Sequence, residues 1–297
     1  LPHLSAHAVD HFGAPECLVV EGERRTYAEM EARANRLAHH LAENGIGPGD
    51  HVGIYALNCV EWVETLWAVF KIRAIWVNIN YRYVKDELVY VFDNADLKAL
   101  VYQRQFSPRV AEALESMPGL THSIVVEDGS DVDGVGLNSV DYEQALAASS
   151  PERDFPARSG DDLYILYTGG TTGMPKGVVW RHEDVFFALG GGIDYQSGWK
   201  AECPEDMVAR NTGGGPSVIF SPAPLMHGAS QWSVMGRSFL GHKSISVAKF
   251  DPHDVWRLVA EEGVQSLMIT GDAMGRPLAE ALDEEGVDYD LSSLFLV

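Results

Sequence analysis

Cysteine, positive charge and long apolar runs are all scarce in this sequence of 297 residues. The three cysteines, Cys17, Cys59 and Cys203, lie far apart and form no C-x-x-C pair, which excludes a disulfide framework and a zinc or thioredoxin-type motif. Such sparse usage fits a reducing, cytoplasmic location. The most apolar long stretch, 60–79, is interrupted by charged residues, so we predict no stable membrane insertion.

Basic residues are outnumbered by acidic ones, with 22 Lys and Arg against 43 Asp and Glu and a formal net charge of −21. A chain of this charge repels polyanions, which argues against nucleic acid and anionic membranes as partners. Any phosphate that it binds must be held locally, by backbone N–H groups and a well-placed lysine. The 46% hydrophobic content indicates a globular chain, long enough for two domains.

Strand and helix patterns alternate through the first half of the chain. A capping box at 26–29 predicts a helix that ends at Gly45, and a buried strand is predicted at 51–57. Helices are predicted next at 60–73 and 84–94, and strands at 75–79, 97–102 and 123–126. This alternation predicts an α/β fold of two mainly parallel sheets flanked by helices.

Two polar stretches, 128–138 and 149–160, interrupt the alternation. They predict a first α/β subdomain at 1–160 and a second at 161–297. Within the second, strands are predicted at 163–167, 178–180, 244–247 and 264–270, and helices from 183, near 230–240 and after Asp251, an N-cap followed by Pro252. The apolar end, 294–297, is typical of a buried strand, and we expect the chain to be a piece of a longer protein.

The most informative segment, 167–177, reads Tyr-Thr-Gly-Gly-Thr-Thr-Gly-Met-Pro-Lys-Gly. Its glycines let the backbone approach an anion closely, its hydroxyl and N–H groups can donate to it, and Lys176 adds positive charge. The segment therefore predicts a phosphate-binding loop. The alternative is a glycine-rich hairpin with an incidental lysine. A Walker A loop is excluded, because Gly177 follows the lysine and the chain continues as a predicted strand instead of a helix.

This loop resembles the phosphate-binding signature of the adenylate-forming (AMP-binding) enzymes, a superfamily of acyl-CoA synthetases, luciferases and peptide-synthetase adenylation domains. The usual form has Ser where this chain has Gly170. Together with 180–184, 271–274 and 290–296, the loop is most similar to the actinobacterial fatty-acid-CoA ligases, in particular the steroid side-chain CoA ligases. The resemblance covers the amino-terminal part of such an enzyme.

The resemblance implies an acid–thiol ligase that uses ATP, Mg²⁺ and CoA. A carboxylate would attack the α-phosphorus of ATP to give acyl-AMP and pyrophosphate, and the CoA thiol would then displace AMP. The implied cofactor-binding residues are Thr168, Gly169, Gly170, Thr171, Thr172, Gly173 and Lys176, with Lys176 also catalytic. No metal ligand is assigned, a homodimer is compatible with the family, and the 297-residue chain alone is expected to be inactive.

A second motif, 224–229, reads Pro-Leu-Met-His-Gly-Ala. In the family this place lies beside the acyl carboxylate, so the resemblance makes His227 catalytic and substrate-binding, with Gly228, Ala229 and Gly271 as further substrate-binding residues. The alternative for His227 is a packed structural histidine. Amino-acid-activating relatives carry Asp just after this position, and the uncharged Gly228 therefore favours an acid without an amine.

Substrate size is left open by the residues themselves. Small residues at 190–192 and near Gly271 leave room for a bulky acyl group, but close helix packing explains them equally well. A long-chain, branched or steroid side-chain acid follows from the resemblance alone. Alternatives are an aryl- or medium-chain acid, or a non-catalytic nucleotide-binding module with the same fold.

Overall fold

The computed structural model describes residues 1–134, 137–170, 173–211, 216–286 and 288–297. The helices are α1 (Pro2–Phe12), α2 (Tyr27–Glu43), α3 (Val60–Lys71), α4 (Lys85–Asn94), α5 (Ser107–Leu114), α6 (Tyr142–Ala147), α7 (His182–Leu189), α8 (Pro204–Asn211), α9 (Gly228–Phe239), α10 (Pro252–Glu262) and α11 (Asp272–Leu282). The strands are β1 (Glu16–Val20), β2 (Glu23–Thr26), β3 (His51–Tyr55), β4 (Ile75–Asn78), β5 (Leu97–Gln103), β6 (His122–Val126), β7 (Val140–Asp141), β8 (Leu163–Gly170), β9 (Gly173–Arg181), β10 (Ile193–Asp194), β11 (Trp199–Lys200), β12 (Val218–Phe220), β13 (Lys243–Ser246) and β14 (Ser266–Leu267).

The chain divides into two compact units. The first comprises Leu1–His3, Glu29–Leu57 and Glu61–Ala188, and the second comprises Leu4–Ala28, Asn58–Val60 and Leu189–Val297. No helix in the described ranges combines the length and apolar character needed to cross a membrane.

The first unit is built on a seven-stranded sheet in the order β7-β6-β5-β3-β4-β8-β9. All neighbouring strands are parallel except the last two, β8 and β9, which form an antiparallel hairpin. Helices pack on both faces because successive strand residues point in opposite directions. On β4, Trp76 meets Trp62 of α3 edge to face at 4.6 Å, while Val77 joins the cluster that contains Phe92 of α4. The prediction of a mainly parallel α/β sheet is confirmed.

The division at residue 160 differs from the structure. Strand β8 lies beside β4, with Trp76 opposite Tyr164, so the predicted phosphate loop belongs to the first unit. The polar stretch 149–160 packs onto α2: the Asn35 amide donates to the Pro151 carbonyl at 2.7 Å, and Arg153 pairs with Glu31 at 2.7 Å. Polarity at 149–160 therefore reflects hydrogen bonding to a helix of the same unit and does not mark a linker.

The second unit contains a five-stranded sheet in the order β14-β12-β13-β1-β2 and a separate β10-β11 ribbon. Strands β14, β12, β13 and β1 are parallel, whereas β1 and β2 form a hairpin. Its turn places Glu21 and Gly22 at positive φ, as a two-residue turn between twisted strands requires. No sequence pattern predicted this hairpin, which follows α1.

Helices α10 and α11 cover the apolar core of this second sheet. Val255 of α10 and Leu278 of α11 are buried in one cluster with Phe220 of β12. The predicted cap of α10 is confirmed, because Asp251 accepts hydrogen bonds from the N–H groups of His253 (2.9 Å) and Asp254 (3.1 Å).

The apolar end of the chain is less regular than predicted. Strand β14 contains only Ser266 and Leu267, and a single parallel bridge joins Ser266 to Leu296. The prediction of a buried strand at 294–297 is wrong for the side chains from Phe295 onward, since Phe295 is 74% exposed.

Candidate functional site

The predicted phosphate loop is the turn of the β8–β9 hairpin in the first unit. Thr168 on β8 lies directly opposite Lys176 on β9, and Gly170 pairs with Gly173 after an irregularity in the ladder. The chain runs from Lys176 along β9, as the sequence predicted, and not into a helix. The hairpin thus brings a hydroxyl and an ammonium group together beside the glycines.

The described residues of this turn are open to solvent. Thr168, Gly169, Gly173 and Lys176 are all exposed. The Lys176 side chain forms no ion pair or hydrogen bond within the described parts of the chain. For Gly170 only the backbone is described, and the predicted ligands Thr171 and Thr172 lie outside the described residues.

The glycines of the hairpin have two different roles. A Cβ added at Gly177 would lie 2.9 Å from Cγ2 of Ile165 and 3.0 Å from the Tyr167 ring, so only glycine allows β9 to lie this close to β8. A Cβ at Gly169 or Gly173 would meet nothing within 4 Å. These two glycines leave free space beside exposed backbone, which is what a bound phosphate needs.

A buried asparagine fixes the strand at the entrance to the turn. Asn78, at the end of β4, accepts a hydrogen bond from the Tyr167 N–H (2.7 Å) and donates to the Tyr167 carbonyl (3.0 Å). The Tyr167 hydroxyl in turn donates to Asn94 of α4 at 2.7 Å. Burial raises the pKa of Tyr167 to about 12, so the hydroxyl remains a donor. Backbone and side chain of Tyr167 are therefore both held.

Hydrogen bonds between charged side chains hold the other end of the hairpin. Asp162 accepts three hydrogen bonds from Arg73, at 3.0, 3.3 and 2.8 Å, and one from the Ser159 N–H at 2.9 Å. Burial alone would raise the pKa of Asp162, but the bonds from Arg73 and Ser159 outweigh it and lower the pKa. His182, just after β9, donates its backbone N–H to the Asp162 carbonyl at 2.8 Å.

The side chain of His182 is fully buried, and its ring lies edge to face against Phe70 at 4.4 Å. Neither ring nitrogen has a hydrogen-bond partner in the described part of the chain. Burial lowers the pKa of His182 to about 3, so the imidazole is neutral at physiological pH.

The second motif lies in the second unit, at the start of α9. His227 is the N-cap residue, with extended backbone and an exposed side chain, and Gly228 is the buried first residue of the helix. The His227 N–H donates to the Pro224 carbonyl at 3.0 Å. The packed-histidine alternative does not describe this exposed residue, whose side chain lies at the positive end of the α9 dipole.

Asn58 holds the segment that carries His227. Its amide nitrogen donates to the Ala223 carbonyl (3.2 Å), the Ser246 hydroxyl (2.9 Å) and the Val247 carbonyl (2.9 Å). Its amide oxygen accepts from the Leu225 N–H at 2.6 Å. Asn58 is 3% exposed, so these bonds are shielded from water.

A cavity of about 870 Å³ lies along α9 within the second unit. Its wall includes Ala229, Trp232 and Gly236 from successive turns of the helix, and Gly191 from the small-residue segment. Of the predicted substrate-binding residues, Ala229 lines this cavity, whereas His227, Gly228 and Gly271 are not among the described residues of its wall. Gly271 is instead the N-cap of α11, with a positive φ of 72°.

The small residues of this region serve packing as well as volume. A Cβ at Gly236 would come within 3.2 Å of the Gly190 carbonyl oxygen, so glycine allows the backbone at Gly190 to approach α9. Gly191 and Gly236 nevertheless both line the cavity. The sequence left two explanations open for these small residues, room for an acyl group and close helix packing. Both therefore apply to residues of this wall.

Sequence reasoning missed Asn58 and Asn78, the two asparagines that hold the motifs. The available signal was weak: each is a polar residue at or just beyond the end of an apolar strand, where backbone groups of another segment need partners. Their partners lie far away in the sequence, and no local pattern identifies them.

A family model described as AMP-binding enzyme matches residues 5–297. Among curated relatives, a 3-oxocholest-4-en-26-oate–CoA ligase from Rhodococcus rhodochrous is 50% identical over 298 residues, which cover 98% of this chain and 53% of the relative. A medium/long-chain-fatty-acid–CoA/3-oxocholest-4-en-26-oate–CoA ligase from Mycobacterium marinum is 45% identical over 99% of this chain and 54% of the relative. The chain thus spans about half the length of these relatives.

Solved structures share the fold at lower identity. The amino-terminal domain of FACL13 from Mycobacterium tuberculosis has a TM-score of 0.78 and 24% identity, covering 98% of this chain and 67% of that one. A long-chain-fatty-acid-CoA ligase from Archaeoglobus fulgidus has a TM-score of 0.76 and 21% identity over 99% and 55%. The match over 5–297, together with the 50% identity, shows that the chain belongs to the AMP-binding enzyme family.

Proposed function

We propose that this chain is part of an AMP-forming acid–thiol ligase that converts a long-chain, branched or steroid side-chain carboxylic acid into its CoA thioester. The observation that carries the proposal is the exposed hairpin turn with Thr168 opposite Lys176 and open space beside Gly169 and Gly173. The relatives' names, which include fatty-acid and 3-oxocholest-4-en-26-oate ligases, support the substrate class.

In the first step, a carboxylate oxygen attacks the α-phosphorus of ATP, a P–O bond breaks and pyrophosphate leaves with the electron pair. Carboxylate and triphosphate repel each other, so catalysis depends on neutralising and orienting the β- and γ-phosphates. Lys176 would supply the positive charge, Thr168 a hydroxyl donor, and the glycines backbone N–H groups. By family resemblance, Thr171 and Thr172 would add two further hydroxyls.

In the second step, the CoA thiol loses its proton and attacks the acyl carbonyl, and AMP leaves.

His227 would bind the carboxylate in the first step, since its side chain is exposed at the positive N-terminus of α9. Gly228 would keep this position free of negative charge, and Ala229 would contact the acyl chain. Gly271 would act indirectly, by setting the backbone turn before α11.

Magnesium enters the proposal as part of the ATP substrate. Within the described ranges, no group of three or more His, Cys, Asp or Glu side chains is arranged to hold a metal ion. We therefore assign no magnesium ligand to this chain. We also propose a cytoplasmic location, a homodimer and no nucleic-acid partner. The net charge of −21 argues against binding to nucleic acid.

The test is a pyrophosphate-release assay on the protein at the full length of its relatives, called here the full-length protein, with a panel of carboxylic acids. Preference for long or steroid side-chain acids would support the proposal, and preference for aryl or medium-chain acids would support that alternative. ATP binding without turnover of any acid would favour a non-catalytic module. We expect the 297-residue chain alone to form no acyl-CoA.

A further inference from the structure

The cavity along α9 has a cation in its wall that no acid among the described residues neutralises. Arg237 projects from the C-terminal half of α9, lines the cavity and is partly buried. Its guanidinium forms no ion pair or side-chain hydrogen bond with any residue that the structure describes. The partly buried guanidinium has lost part of its hydration without gaining an acceptor from the described residues, which is unfavourable for a charged group.

The other charges of the cavity wall do not compensate Arg237. Asp194 is the acidic residue among the described lining residues, and it pairs with Arg210 at 2.7 Å. The Arg210 guanidinium also lies over the Trp199 ring, 4.5 Å from its centre. Arg210 and Asp194 thus satisfy each other, and Arg237 carries the uncompensated charge.

His242 adds a second donor on the same side of the cavity. It lines the cavity, and its backbone N–H donates to the Arg237 carbonyl at 3.1 Å. The Nδ1 atom of His242 accepts a hydrogen bond from the Ser217 N–H at 3.1 Å, which places the proton of the neutral ring on Nε2. Burial and the charge of Arg237 lower the pKa of His242 to about 4, so the neutral form prevails.

The donors are far from the proposed carboxylate end of the cavity. Ala229 lines the cavity in the first turn of α9, two positions after His227, and Arg237 is eight positions further along the helix. At 1.5 Å per residue this separates the two positions by about 12 Å along the axis. Between them, Trp232, Ser233 and Gly236 line the cavity.

We propose that Arg237, together with His242, binds an oxygen acceptor at the end of the acyl group remote from the activated carboxylate. The inference rests on the proposed ligase function and narrows its substrate class to long acids that carry a distal ketone or carboxylate. An acid with an apolar end would leave the guanidinium unpaired, and the site would discriminate against it. Arg237 is then a specificity-determining residue.

The experiment compares acids of one carbon skeleton with the full-length protein: a distal ketone, the same acid without the ketone, and the corresponding dicarboxylic acid. In Arg237→Met, we expect the ratio of kcat/KM for the oxo acid over the deoxo acid to fall by at least about tenfold. Arg237→Lys should retain part of the ratio, because it keeps a charged donor. Arg257→Met is the control and should leave the ratio unchanged, because it removes an exposed guanidinium of α10 that is not among the described lining residues of the cavity.

Three outcomes would overturn the proposal. An unchanged ratio in Arg237→Met, with both acids still activated, would show that Arg237 does not recognise the distal oxygen. An equal fall in Arg257→Met would show that the effect does not come from the cavity. Failure of the unmodified protein to activate any acid would refute the ligase function itself. Comparison of the ketone with the dicarboxylic acid identifies which acceptor is preferred.

Discussion

Asn78 hydrogen-bonds both backbone groups of Tyr167, the residue that precedes Thr168 in the hairpin. Both residues are buried, and they are 89 positions apart in the sequence. The backbone ladder between β4 and β8 ends at Val77 and Ile165. Beyond that point, the Asn78 side chain takes the place of a backbone partner for β8. The position of the proposed phosphate loop therefore depends on a residue in another strand.

Replacing Asn78 with Ala should lower the free energy of unfolding by about 2 kcal/mol, because two buried backbone groups lose their partners. It should also lower kcat for adenylation more than it raises KM for the acid, because the hairpin shifts. Urea unfolding and pyrophosphate release on the full-length protein would measure the two effects. Asn94→Ala, which removes only the partner of the Tyr167 hydroxyl, is the control; an equal loss of adenylation in both variants would contradict the positioning role.

Lys176→Ala should reduce adenylation by about 100-fold, since it removes the positive charge of the loop. The melting temperature should hardly change, because the side chain is exposed and has no partner in the described residues. Lys98→Ala is a matched control: Lys98 lies at the start of β5, and the parallel strands put it at the opposite edge of the sheet from the turn. Parallel losses of melting temperature and activity in Lys176→Ala would indicate a structural role.

The buried His182 should make the stability of the folded chain sensitive to acid. Its pKa is about 3 when folded and about 6.5 when exposed. Between these values the unfolded chain binds a proton that the folded chain excludes, so the free energy of unfolding falls as the pH falls. From pH 7.5 to pH 5 this amounts to about 2 kcal/mol, which His182→Leu should abolish.

Urea unfolding at the two pH values, followed by tryptophan fluorescence, would measure this difference. His11→Leu replaces an exposed histidine and should leave the loss of stability on acidification as it is in the unmodified protein. If His182→Leu lost as much stability as the unmodified protein, the buried imidazole would not be the acid-sensitive group.

Filling the cavity at Ala229 should change the size of acid that is accepted. Ala229→Leu places a larger side chain in the cavity wall, so kcat/KM for long or steroid acids should fall at least about tenfold relative to short acids. Ala273→Leu is the control, because Ala273 is exposed on α11 and is not among the described lining residues. A uniform loss for all acids in Ala229→Leu would show that this cavity does not hold the acyl chain.

Local chemistry made much of the fold predictable. Asp251 and Pro252 define the start of α10 through bonds within three residues, and the Gly and Thr residues of 167–177 predicted a turn between two strands. The boundary at 160 was wrong because polarity alone cannot distinguish a linker from a segment that bonds to a helix of its own unit. The short β1–β2 hairpin was not predicted because a glutamate such as Glu21 gives no indication that its backbone adopts a positive φ.

The candidate site was predictable in its motifs but not in its supports. Thr168 and Lys176 are recognisable from the residues around them, and their exposure agrees with a binding role. Asn58 contacts residues 165 to 189 positions away, and Arg237 matters because of a cavity that only the folded chain creates. Such groups acquire their roles from tertiary contacts, which neither periodicity nor spacing encodes.

Because the proposed phosphate loop continues into β9, its binding of anions should be unusually sensitive to ionic strength. Where a phosphate loop opens a helix, aligned peptide dipoles contribute a fixed partial charge of about half a unit. Here the local attraction is concentrated in one ammonium group, which is exposed to the solvent. Dissolved ions screen such a group, with a Debye length of about 8 Å at physiological ionic strength, so nucleotide affinity should weaken steadily as salt is added.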